Sequence, residues 1–460
     1  MGADQPVDDR DLLRLLKQAA AEQGVEAWVV GGYVRDQLLG RAPVNPDVVV
    51  EGGSALELAA RFAQLAGARP PVTFERFGTA QVTLPDRLVE FVQARSESYP
   101  PDSRKPEVRP ATLEEDLRRR DFTVNTLLMD LEGKVYDRLG VGQADLQARV
   151  LRTPADPLQT FGDDPLRMLR AVRLAAQLGF ALAPDLLPAM RQMRDRLAPP
   201  VISVERTAEE LRKMLISDRP RIALELLDQG GLLEVVLPEL AACKGVAQGG
   251  YHTHDVYGHT LMAVGLTPPD LLVRLAAAFH DVGKPATATG DGAFTGHELV
   301  GAELARAALE RLRFSQKDVD AVVTLVRLHL RPVFYRSEWS DGAVRRLARD
   351  AGAQLERLMA LARADLGASA YPHPEKLDEL EARLGAVLSE QPSRLISPID
   401  GQDIMRALHL APGPAVGRIK ERLTELVLDG EIEPSREAVL EYLESHPDLS
   451  LPNPLTPPAG

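Results

Sequence analysis

The chain has 460 residues, of which 45% are hydrophobic and 26% charged, and this globular composition excludes a fibrous or wholly disordered protein. Lys and Arg number 54 against 67 Asp and Glu, so the formal net charge of −13 excludes a polycation that binds nucleic acid over its whole surface. Any nucleic-acid binding therefore needs a local basic patch. The single cysteine, Cys243, excludes a disulfide framework and a thiolate zinc cluster.

The beginning of the chain and its hydropathy predict a soluble, cytoplasmic protein with no membrane partner. Residues 1–10 are polar and acidic, without the apolar stretch of a signal peptide. No apolar run approaches the roughly 20 residues that span a bilayer. The length predicts roughly three domains of about 150 residues each.

An α+β head of mixed sheet and helices is predicted first, followed by an all-α remainder. Short apolar or alternating runs broken by Gly or Pro predict strands, and a stretch after Gly32 predicts a helix over 33–39. From about residue 164 the apolar spacing is helical nearly throughout. The predicted strands are 27–30, 47–50, 72–84 and 88–94.

Gly31 and Gly32 separate the first strand from the helix, at a position suited to a phosphate. Glycine lets a backbone approach a phosphate closely, and the N-terminus of a helix supplies positive potential. Arg35 follows one turn later and is available to a triphosphate. On its own, such a pair of glycines is more often a simple turn.

A metal site is predicted at the entry to the next strand. Strand alternation would place Asn45 and Asp47 on one face, and Glu90 is the only acid inside the neighbouring strand. Carboxylates arranged in this way hold Mg²⁺ for in-line phosphoryl transfer. An amide at position 45 weakens such a site because it carries no charge.

Asp164 and Arg167 are three residues apart and share one helix face. A carboxylate can accept the amino hydrogen of cytosine or adenine, while a guanidinium donates to the adjacent ring nitrogen. Guanine and uracil present the opposite groups, so such a pair selects C and A without a nucleic-acid template. The alternative is an ordinary surface ion pair. Arg170 and Arg173 either contact phosphate or form a solvated basic stripe.

Six of the nine histidines lie between residues 252 and 329. His280 and Asp281 end an apolar helix, and His259 from the preceding helix with a distant carboxylate could complete a site. Such a mixed set of nitrogen and oxygen ligands suits a divalent metal.

The head resembles the class II tRNA nucleotidyltransferases, which comprise CCA-adding enzymes and bacterial poly(A) polymerases. The resemblance implies that Asn45 and Asp47 stand where the family has two metal-binding aspartates. It also implies that residues 95–115 form a flexible loop needed to add the terminal A. The other matched positions, Arg120, Asp121 and Asn125, would contact the sugar and phosphates of the nucleotide. The resemblance is carried by the strings at 31–41, 47–52, 76–80, 95–99, 116–125 and 137–146.

Two later stretches carry further resemblances. The string from Asp163 to Arg173 resembles the nucleotide-selecting motif of the same family. The ordered histidines resemble the HD phosphohydrolase superfamily, which implies metal-activated water acting on phosphoesters. That match implies the metal ligands His259, His280, Asp281 and Asp365, with His297 and His329 available to phosphate or to a second ion. Lys284 either stabilises charge that develops on the phosphate or only caps a helix.

The predicted function is template-independent addition of CCA to the 3′ end of tRNA from CTP and ATP, with Mg²⁺ in the head and a divalent metal of unspecified identity in the HD domain. One alternative is an A-adding enzyme or poly(A) polymerase of the same family. Another is an HD phosphohydrolase whose head only binds tRNA, which Asn45 favours. The predicted domains are a head (1–150), a helical neck (151–248), the HD domain (249–390), a helical tRNA-binding module (391–450) and a disordered tail (451–460); no oligomeric state is predicted.

Overall fold

The computed structural model describes residues 8–42, 45–98, 107–251, 253–289, 293–390 and 398–446. The chain divides into two compact units, Met1–Val236 and Leu237–Gly460. Among the described helices, none has both the length and the apolar character that crossing a membrane requires.

A seven-stranded mixed sheet organises the first unit, in the order β3-β4-β5-β2-β1-β8-β9. Strand β1 runs antiparallel to β2 and β8, whereas β2 runs parallel to β5. Two further pairs, β6–β7 and β10–β11, lie outside this sheet. The strands are β1 (Glu26–Val30), β2 (Asp47–Glu51), β3 (Val72–Phe74), β4 (Thr79–Thr83), β5 (Leu88–Gln93), β6 (Arg95–Ser98), β7 (Glu107–Pro110), β8 (Leu128–Met129), β9 (Val135–Tyr136), β10 (Val150–Leu151) and β11 (Ala181–Leu182).

Both faces of the central strands are buried, which explains their continuous valine runs. Helices α1 and α3 pack together, and α3 lies against β4 and β5. Trp28, Val30 and Val49 form a second cluster with Leu117 and Leu128. The helices of this part are α1 (Asp9–Gln23), α2 (Gly32–Leu38), α3 (Ala55–Ala66), α4 (Leu113–Arg118) and α5 (Gly142–Ala148).

The rest of the first unit is helical apart from β10 and β11. Its central helix, α7, buries its apolar side against α9 and α10. These helices are α6 (Pro157–Asp163), α7 (Leu166–Leu178), α8 (Leu186–Met193), α9 (Val204–Leu215), α10 (Pro220–Gln229) and α11 (Leu233–Val236).

In the second unit, every regular element that the structure describes is a helix. Helices α13, α14, α17 and α20 pack around the histidine-rich region, and α22 to α24 form a small cluster with its own core. The helices are α12 (Pro238–Ala241), α13 (Val256–Leu266), α14 (Leu271–Phe279), α15 (Lys284–Thr287), α16 (His297–Arg311), α17 (Gln316–Leu328), α18 (Leu330–Val333), α19 (Asp341–Ala351), α20 (Leu355–Gly367), α21 (Glu375–Glu390), α22 (Gly401–Leu408), α23 (Pro414–Asp429) and α24 (Arg436–Ser445).

The predicted α+β head followed by helical regions is confirmed, with corrections in detail. The single strand predicted over 72–84 is two strands, because a 3-10 turn at Glu75–Phe77 interrupts it. The predicted flexible loop at 95–115 contains the β6–β7 ribbon and the start of α4, while residues 99–106 lie outside the described residues. The predicted tail, 451–460, also lies outside them.

Candidate active site

The Gly31–Gly32 turn carries the chain from β1 into α2 beside charged side chains. Gly31 has φ +82°, a conformation that disfavours any residue with a Cβ. A Cβ added there would lie 3.3 Å from Oδ2 of Asp47 and 3.5 Å from Nη1 of Arg120. The bare backbone of the turn therefore lies directly against a carboxylate and a guanidinium.

Asp47 and Glu90 are brought together by the parallel pairing of β2 with β5. They are register partners, so their side chains leave the sheet on the same face. Burial raises the pKa of Asp47 to about 6; the nearby Arg120 opposes this rise, and the negative charge of Glu90 adds to it. Paired carboxylates are the oxygen ligands that Mg²⁺ prefers, so Asp47 and Glu90 fit the expected ion.

Asn45 does not share a strand face with Asp47, and the alternation argument for this pair is wrong. Strand β2 begins at Asp47, so Asn45 precedes the strand. The Asn45 side chain is exposed, and its Oδ1 accepts a hydrogen bond of 2.9 Å from the backbone N–H of Leu88. Its amide oxygen thus secures the start of β5.

A buried carboxylate holds two consecutive arginines of the head. Asp116 is fully buried, accepting from Arg119 through Oδ1 at 2.5 Å and from Arg120 through Oδ2 at 3.1 Å. Burial acts to raise the pKa of Asp116, but the two guanidinium groups outweigh it and hold that pKa below its ordinary value. Arg120 is thereby fixed beside Asp47 and Gly31.

Four predicted site residues form one hydrogen-bonded chain. Arg170 of α7 donates to Oδ2 of Asp121, through Nη2 at 2.5 Å and Nε at 2.9 Å. Asn125 donates to Oδ1 of Asp121 at 2.9 Å, and its own oxygen accepts from Nη1 of Arg35 at 2.8 Å. Arg35 is also ion-paired with Asp36 at 2.7 Å. Arg35 is therefore buried and already bonded on two sides.

Asp164 and Arg167, the two side chains expected to contact the base, are each bonded to other residues. Asp164 accepts from the backbone N–H of Leu166 at 3.1 Å and from Nη2 of Arg206 at 3.0 Å. Arg167 donates to the carbonyl oxygen of Arg119 at 2.6 Å and to that of Thr160 at 3.3 Å. Within the described residues, the surface ion pair between Asp164 and Arg167 does not form.

Arg173 fits neither the phosphate contact nor the solvated stripe that its spacing suggested. Its Nε donates to Oε2 of Glu210 on α9 at 2.6 Å, and its Nη1 donates to Gln177 at 2.9 Å. The side chains of this ion pair are only 13% and 5% exposed. Arg173 therefore joins α7 to α9, whereas Arg170 points to the head.

In the second unit, four histidines present the same ring nitrogen to a common centre. Each Nδ1 lies against a backbone carbonyl oxygen, which leaves Nε2 facing inward and fixes the ring. This is the orientation that metal-ligating histidines usually have. The Nδ1–carbonyl distances are 3.4 Å for His259, 2.7 Å for His280, 2.8 Å for His297 and 2.6 Å for His329.

The predicted ligands fall into two groups, and within each group the ligand atoms all lie within 4.8 Å of one another. The first group is His259, His280 and Asp365, with His259 Nε2 2.9 Å from Oδ1 of Asp365; the second is Asp281, His297 and His329. Asp281 lies between the groups, with Oδ2 3.3 Å from His280 Nε2 and Oδ1 3.4 Å from His297 Nε2.

The protonation of this cluster depends on its two carboxylates. Burial acts to lower the pKa of His280, but Asp281 and Asp365 outweigh it and raise the pKa to about 9. Burial acts to raise the pKa of Asp365, but His259 and His280 outweigh it and lower the pKa to about 2. Burial, together with the charge of His280, lowers the pKa of His329 to about 4. The His329 imidazole is therefore neutral at physiological pH.

Two orphaned nitrogens support a metal in the second group. Nε2 of His297 and Nε2 of His329 are buried and have no hydrogen-bond partner among the described residues. A buried polar atom without a partner is unfavourable, and a metal ion would satisfy both. Lys284 donates to Oδ2 of Asp281 at 2.7 Å and to Gln248 at 2.8 Å. His252, in the same stretch, lies outside the described residues.

A cavity of about 550 Å³ leads to this cluster. Asp281, His297, His329 and Asp365 lie in its wall with Lys284. Its lining also includes four aromatic residues, Tyr251, Phe294, Phe334 and Tyr371. The cavity therefore combines a metal-ligating wall with a cation and flat apolar surfaces.

Sequence reasoning missed three residues that hold the predicted site residues in place. Arg206 lies in the first turn of α9, which Ser203 caps, and its side chain donates to Asp164. Asp116 begins the family-like stretch 116–125 and holds Arg119 and Arg120, and Glu210 holds Arg173. The four-residue spacing of Arg206 and Glu210 places both on one face of α9. This spacing was the sequence signal that could have indicated a shared packing role for the two residues.

Models of three known domains match the chain in order. They are the poly A polymerase head domain at residues 27–152, the probable RNA- and SrmB-binding site of polymerase A at 179–244, and the HD domain at 250–367. An A-adding tRNA nucleotidyltransferase of Deinococcus radiodurans is 35% identical over 430 residues, which cover 90% of this chain and 94% of that protein. The chain belongs to the tRNA nucleotidyltransferase family.

Other relatives of this tRNA nucleotidyltransferase carry related names. A CC-adding enzyme of Thermus thermophilus is 38% identical, covering 90% of this chain and 92% of that protein. A multifunctional CCA protein of Neisseria gonorrhoeae is 36% identical, covering 66% and 74%. The family resemblance, the enzyme class and the presence of an HD domain are thus confirmed.

Solved structures share the fold. The Bacillus stearothermophilus CCA-adding enzyme in complex with CTP superposes with a TM-score of 0.67 at 24% identity, covering 95% of this chain and 98% of that one. A tRNA nucleotidyltransferase complexed with a primer tRNA and an incoming ATP analog is 26% identical with a TM-score of 0.55, covering 81% and 99%.

Proposed function

We propose that this tRNA nucleotidyltransferase rebuilds the 3′-CCA end of tRNA from CTP and ATP without a nucleic-acid template. The observation that carries the proposal is the fixed placement of Asp164 and Arg167. Partners behind them hold both side chains, Arg206 for the carboxylate and the carbonyl oxygen of Arg119 for the guanidinium. Both are therefore oriented before a nucleotide arrives.

Enough hydrogen-bonding capacity remains on this pair to read a base edge. A guanidinium has five N–H donors, and Arg167 uses two of its nitrogens on backbone carbonyl groups. The two oxygens of Asp164 offer about four lone-pair sites, of which two are in use. Cytosine and adenine match a carboxylate beside a guanidinium, whereas guanine and uracil would leave buried groups unpaired. Unpaired polar groups give strong discrimination.

In the proposed function, Asp47 and Glu90 are the residues at which nucleotidyl transfer takes place. Their paired carboxylates would hold Mg²⁺, which when bound neutralises charge that develops on the triphosphate. Arg120, fixed by Asp116, would bind phosphate oxygens beside the Gly31–Gly32 turn. Because the turn carries no Cβ, its backbone would allow a close approach of the same oxygens.

Incorporation on defined tRNA ends tests this function. Three tRNAs, ending before the first C, before the second C and before the A, would each be incubated with one nucleotide at a time. We expect C addition to the first two and A addition to the third, with UTP and GTP inactive. Binding of tRNA without any incorporation would instead support a phosphohydrolase whose head only binds tRNA.

An enzyme restricted to A or to CC is the second candidate. The observation in its favour is that two relatives, each covering 90% of this chain, are named for partial addition, one A-adding and one CC-adding. The same three tRNAs separate the cases. Addition only to the end that already carries CC identifies an A-adding enzyme, whereas addition that stops after two C identifies a CC-adding enzyme.

For the HD domain we propose a metal-dependent phosphohydrolase. The support is the cluster of four inward-facing Nε2 atoms and two carboxylates, of which Asp281, His297, His329 and Asp365 lie in the wall of the cavity. Bound metal would supply activated water, and Lys284 would stabilise negative charge on the phosphate. Hydrolysis of nitrophenyl phosphate tests this. We expect His280→Ala to abolish hydrolysis while nucleotide addition persists, and unchanged hydrolysis would contradict the proposal.

A further inference from the structure

Strand β2 carries a carboxylate at each of its ends. Asp47 begins the strand and belongs to the proposed metal site, and Glu51 ends it. Oε1 of Glu51 accepts a hydrogen bond of 2.8 Å from the backbone N–H of Leu113, the first residue of helix α4. Glu51 and Leu113 are 62 residues apart in the chain. The side chain of Glu51 therefore ties the end of β2 to the start of α4.

The bond from Glu51 supplies an acceptor that the start of α4 needs. The first N–H groups of a helix have no partner within the helix, and a carboxylate near them is stabilised by the helix dipole. Thr112 and Glu115 form a capping box that satisfies two of the N–H groups at this end. The N–H of Leu113 is satisfied by Glu51 instead, from a distant strand. Leu113 and Leu117 are buried in the core of the head, so the helix packs there as well.

The far end of α4 leads back to the metal site. Asp116, in the last turns of this helix, accepts from Nη2 of Arg120 at 3.1 Å. A Cβ added at Gly31 would lie 3.5 Å from Nη1 of Arg120 and 3.3 Å from Oδ2 of Asp47, so both side chains lie against the same turn. The connection that leaves Asp47 along β2 thus returns to it through Glu51, helix α4 and Arg120.

We propose that Glu51 is a positioning residue of the nucleotidyl-transfer site, which holds the start of α4 on β2 and thereby sets the distance between Arg120 and Asp47. This inference rests on the proposed function, in which Arg120 binds phosphate oxygens of the nucleotide and Asp47 holds Mg²⁺. Glu51 acts through α4 and Arg120. Without its bond to Leu113 the helix can shift, and small displacements of groups at a reacting centre have large effects.

Glu51→Ala and Glu51→Gln test this role against the parent enzyme. Glutamine keeps an oxygen that can accept from the N–H of Leu113, whereas alanine leaves that donor without its partner. Glu114→Ala is the matched control, because Glu114 is also an acid in the first turn of α4 but forms an exposed ion pair with Arg118. Arg120→Ala and the double variant Glu51→Ala/Arg120→Ala complete the set.

The readouts are KM and kcat for CTP and ATP, and the dissociation constants of both nucleotides without tRNA. Thermal melting establishes that each variant is folded. If Glu51→Ala melts at the assay temperature, Glu51→Asp takes its place, because an aspartate keeps the charge but is one methylene shorter. The same loss is expected of either variant.

We expect Glu51→Ala to raise KM and to weaken the binding of both nucleotides by about tenfold, the size of one lost hydrogen bond to a charged group. Glu51→Gln should keep most of the affinity, and Glu114→Ala should resemble the parent. In the Arg120→Ala background, Glu51→Ala should cause little further loss, because both changes remove the same phosphate contact. Additive losses in the double variant would show that Glu51 acts on the fold in general and would overturn the inference. Parent-like affinity in Glu51→Ala would overturn it equally.

Failure of the proposed function gives a different result. In that case the parent enzyme incorporates no nucleotide, whatever residue stands at position 51. The dissociation constants still decide the inference, and hydrogen exchange of the α4 amides adds a readout that needs no nucleotide. Exchange should be faster in Glu51→Ala and parent-like in Glu51→Gln. Unchanged exchange together with unchanged CTP affinity in Glu51→Ala would contradict the inference even in an enzyme that does not transfer nucleotides.

Discussion

Arg206 of α9 holds the carboxylate of Asp164 through a 3.0 Å ion pair, although 42 residues separate them in the chain. Four residues after Arg206, Glu210 holds Arg173 of α7 in the same way at 2.6 Å. Helix α9 therefore holds one side chain near each end of the stretch from Asp164 to Arg173. The other oxygen of Asp164 accepts from the backbone N–H of Leu166 at 3.1 Å, so both of its oxygens have a partner.

Arg206→Ala should reduce base selectivity more than it reduces stability. Asp164 would lose the partner that orients its second oxygen, so UTP use should rise relative to CTP by about tenfold. Arg206→Lys should restore part of the selectivity, while Lys213→Ala on the same helix should have no effect. The measurement is kcat/KM for the four nucleotides, and unchanged selectivity in Arg206→Ala would refute this role.

Substitutions at positions 45 and 47 should act in opposite directions. Asp47→Ala should abolish nucleotide addition, because it removes the buried carboxylate that pairs with Glu90. Asn45→Asp should raise addition at low Mg²⁺, since one carboxylate oxygen can keep the Leu88 N–H and the other adds negative charge. A titration of rate against Mg²⁺ concentration measures both. Equal rates in the parent and both variants would contradict the site.

Asp47 should destabilise the metal-free fold at neutral pH. The pKa of Asp47 is raised from 3.8 to about 6, so the folded state favours the protonated carboxyl. The free energy of unfolding therefore decreases as the pH rises from 3.8 through about 6. Asp47→Asn should therefore increase the free energy of unfolding at pH 8 by about 3 kcal/mol, at about 1.4 kcal/mol per unit. At pH 4 the gain should nearly vanish. Urea unfolding without Mg²⁺ at both values checks this, and an equal gain at both would contradict it.

In the histidine and carboxylate cluster of the HD domain, a rise in pH should lower the stability of the metal-free protein and increase its affinity for metal. The pKa of His280 is raised to about 9, so its contribution to the metal-free protein is full below about 6.5 and is lost as the pH rises through 9. A metal ligand must be deprotonated, so Mn²⁺ should bind more tightly and release fewer protons as the pH approaches 9. Calorimetric titration at pH 7 and pH 9 measures this, with His280→Gln as the control. Affinity that does not change with pH would contradict it.

The stoichiometry of metal binding should follow the two ligand groups. Asp281 contributes one oxygen toward each group, so Asp281→Asn should lose more metal than His329→Gln, which affects the second group alone. Elemental analysis of protein equilibrated with Mn²⁺ and then desalted gives the count. Equal loss in both variants would show that Asp281 does not serve both groups.

The sequence predicted what depends on local pattern and on ordered motifs. The α+β head followed by helices was predicted correctly, because valine runs and helical spacing are local signals. The structure also brings the predicted ligands around His280 together, from α13, the ends of α14 and α17, α16 and α20. A carboxylate and imidazoles at helix ends are recognisable by residue type alone.

Contacts between distant segments could not be predicted in this way. The hydrogen bond from Leu88 to Asn45 and the ion pair between Arg206 and Asp164 each join segments that are distant in the sequence. They form only because the fold brings those segments together. Strand alternation placed Asn45 wrongly because β2 starts two residues later than that argument required. Arg173 looked solvated in sequence because nothing local shows that Glu210 of α9 is buried beside it.

Competition among the four nucleotides tests the central claim most directly. A tRNA lacking its 3′ end would be incubated with equal CTP, ATP, UTP and GTP, and the added residues read by sequencing, for the parent enzyme and for Arg167→Gln. A reader built from Asp164 and Arg167 gives almost only C and A with the parent and a clear rise of U and G with the variant. Comparable U and G incorporation by the parent, or identical products from both proteins, would show that the base is chosen elsewhere.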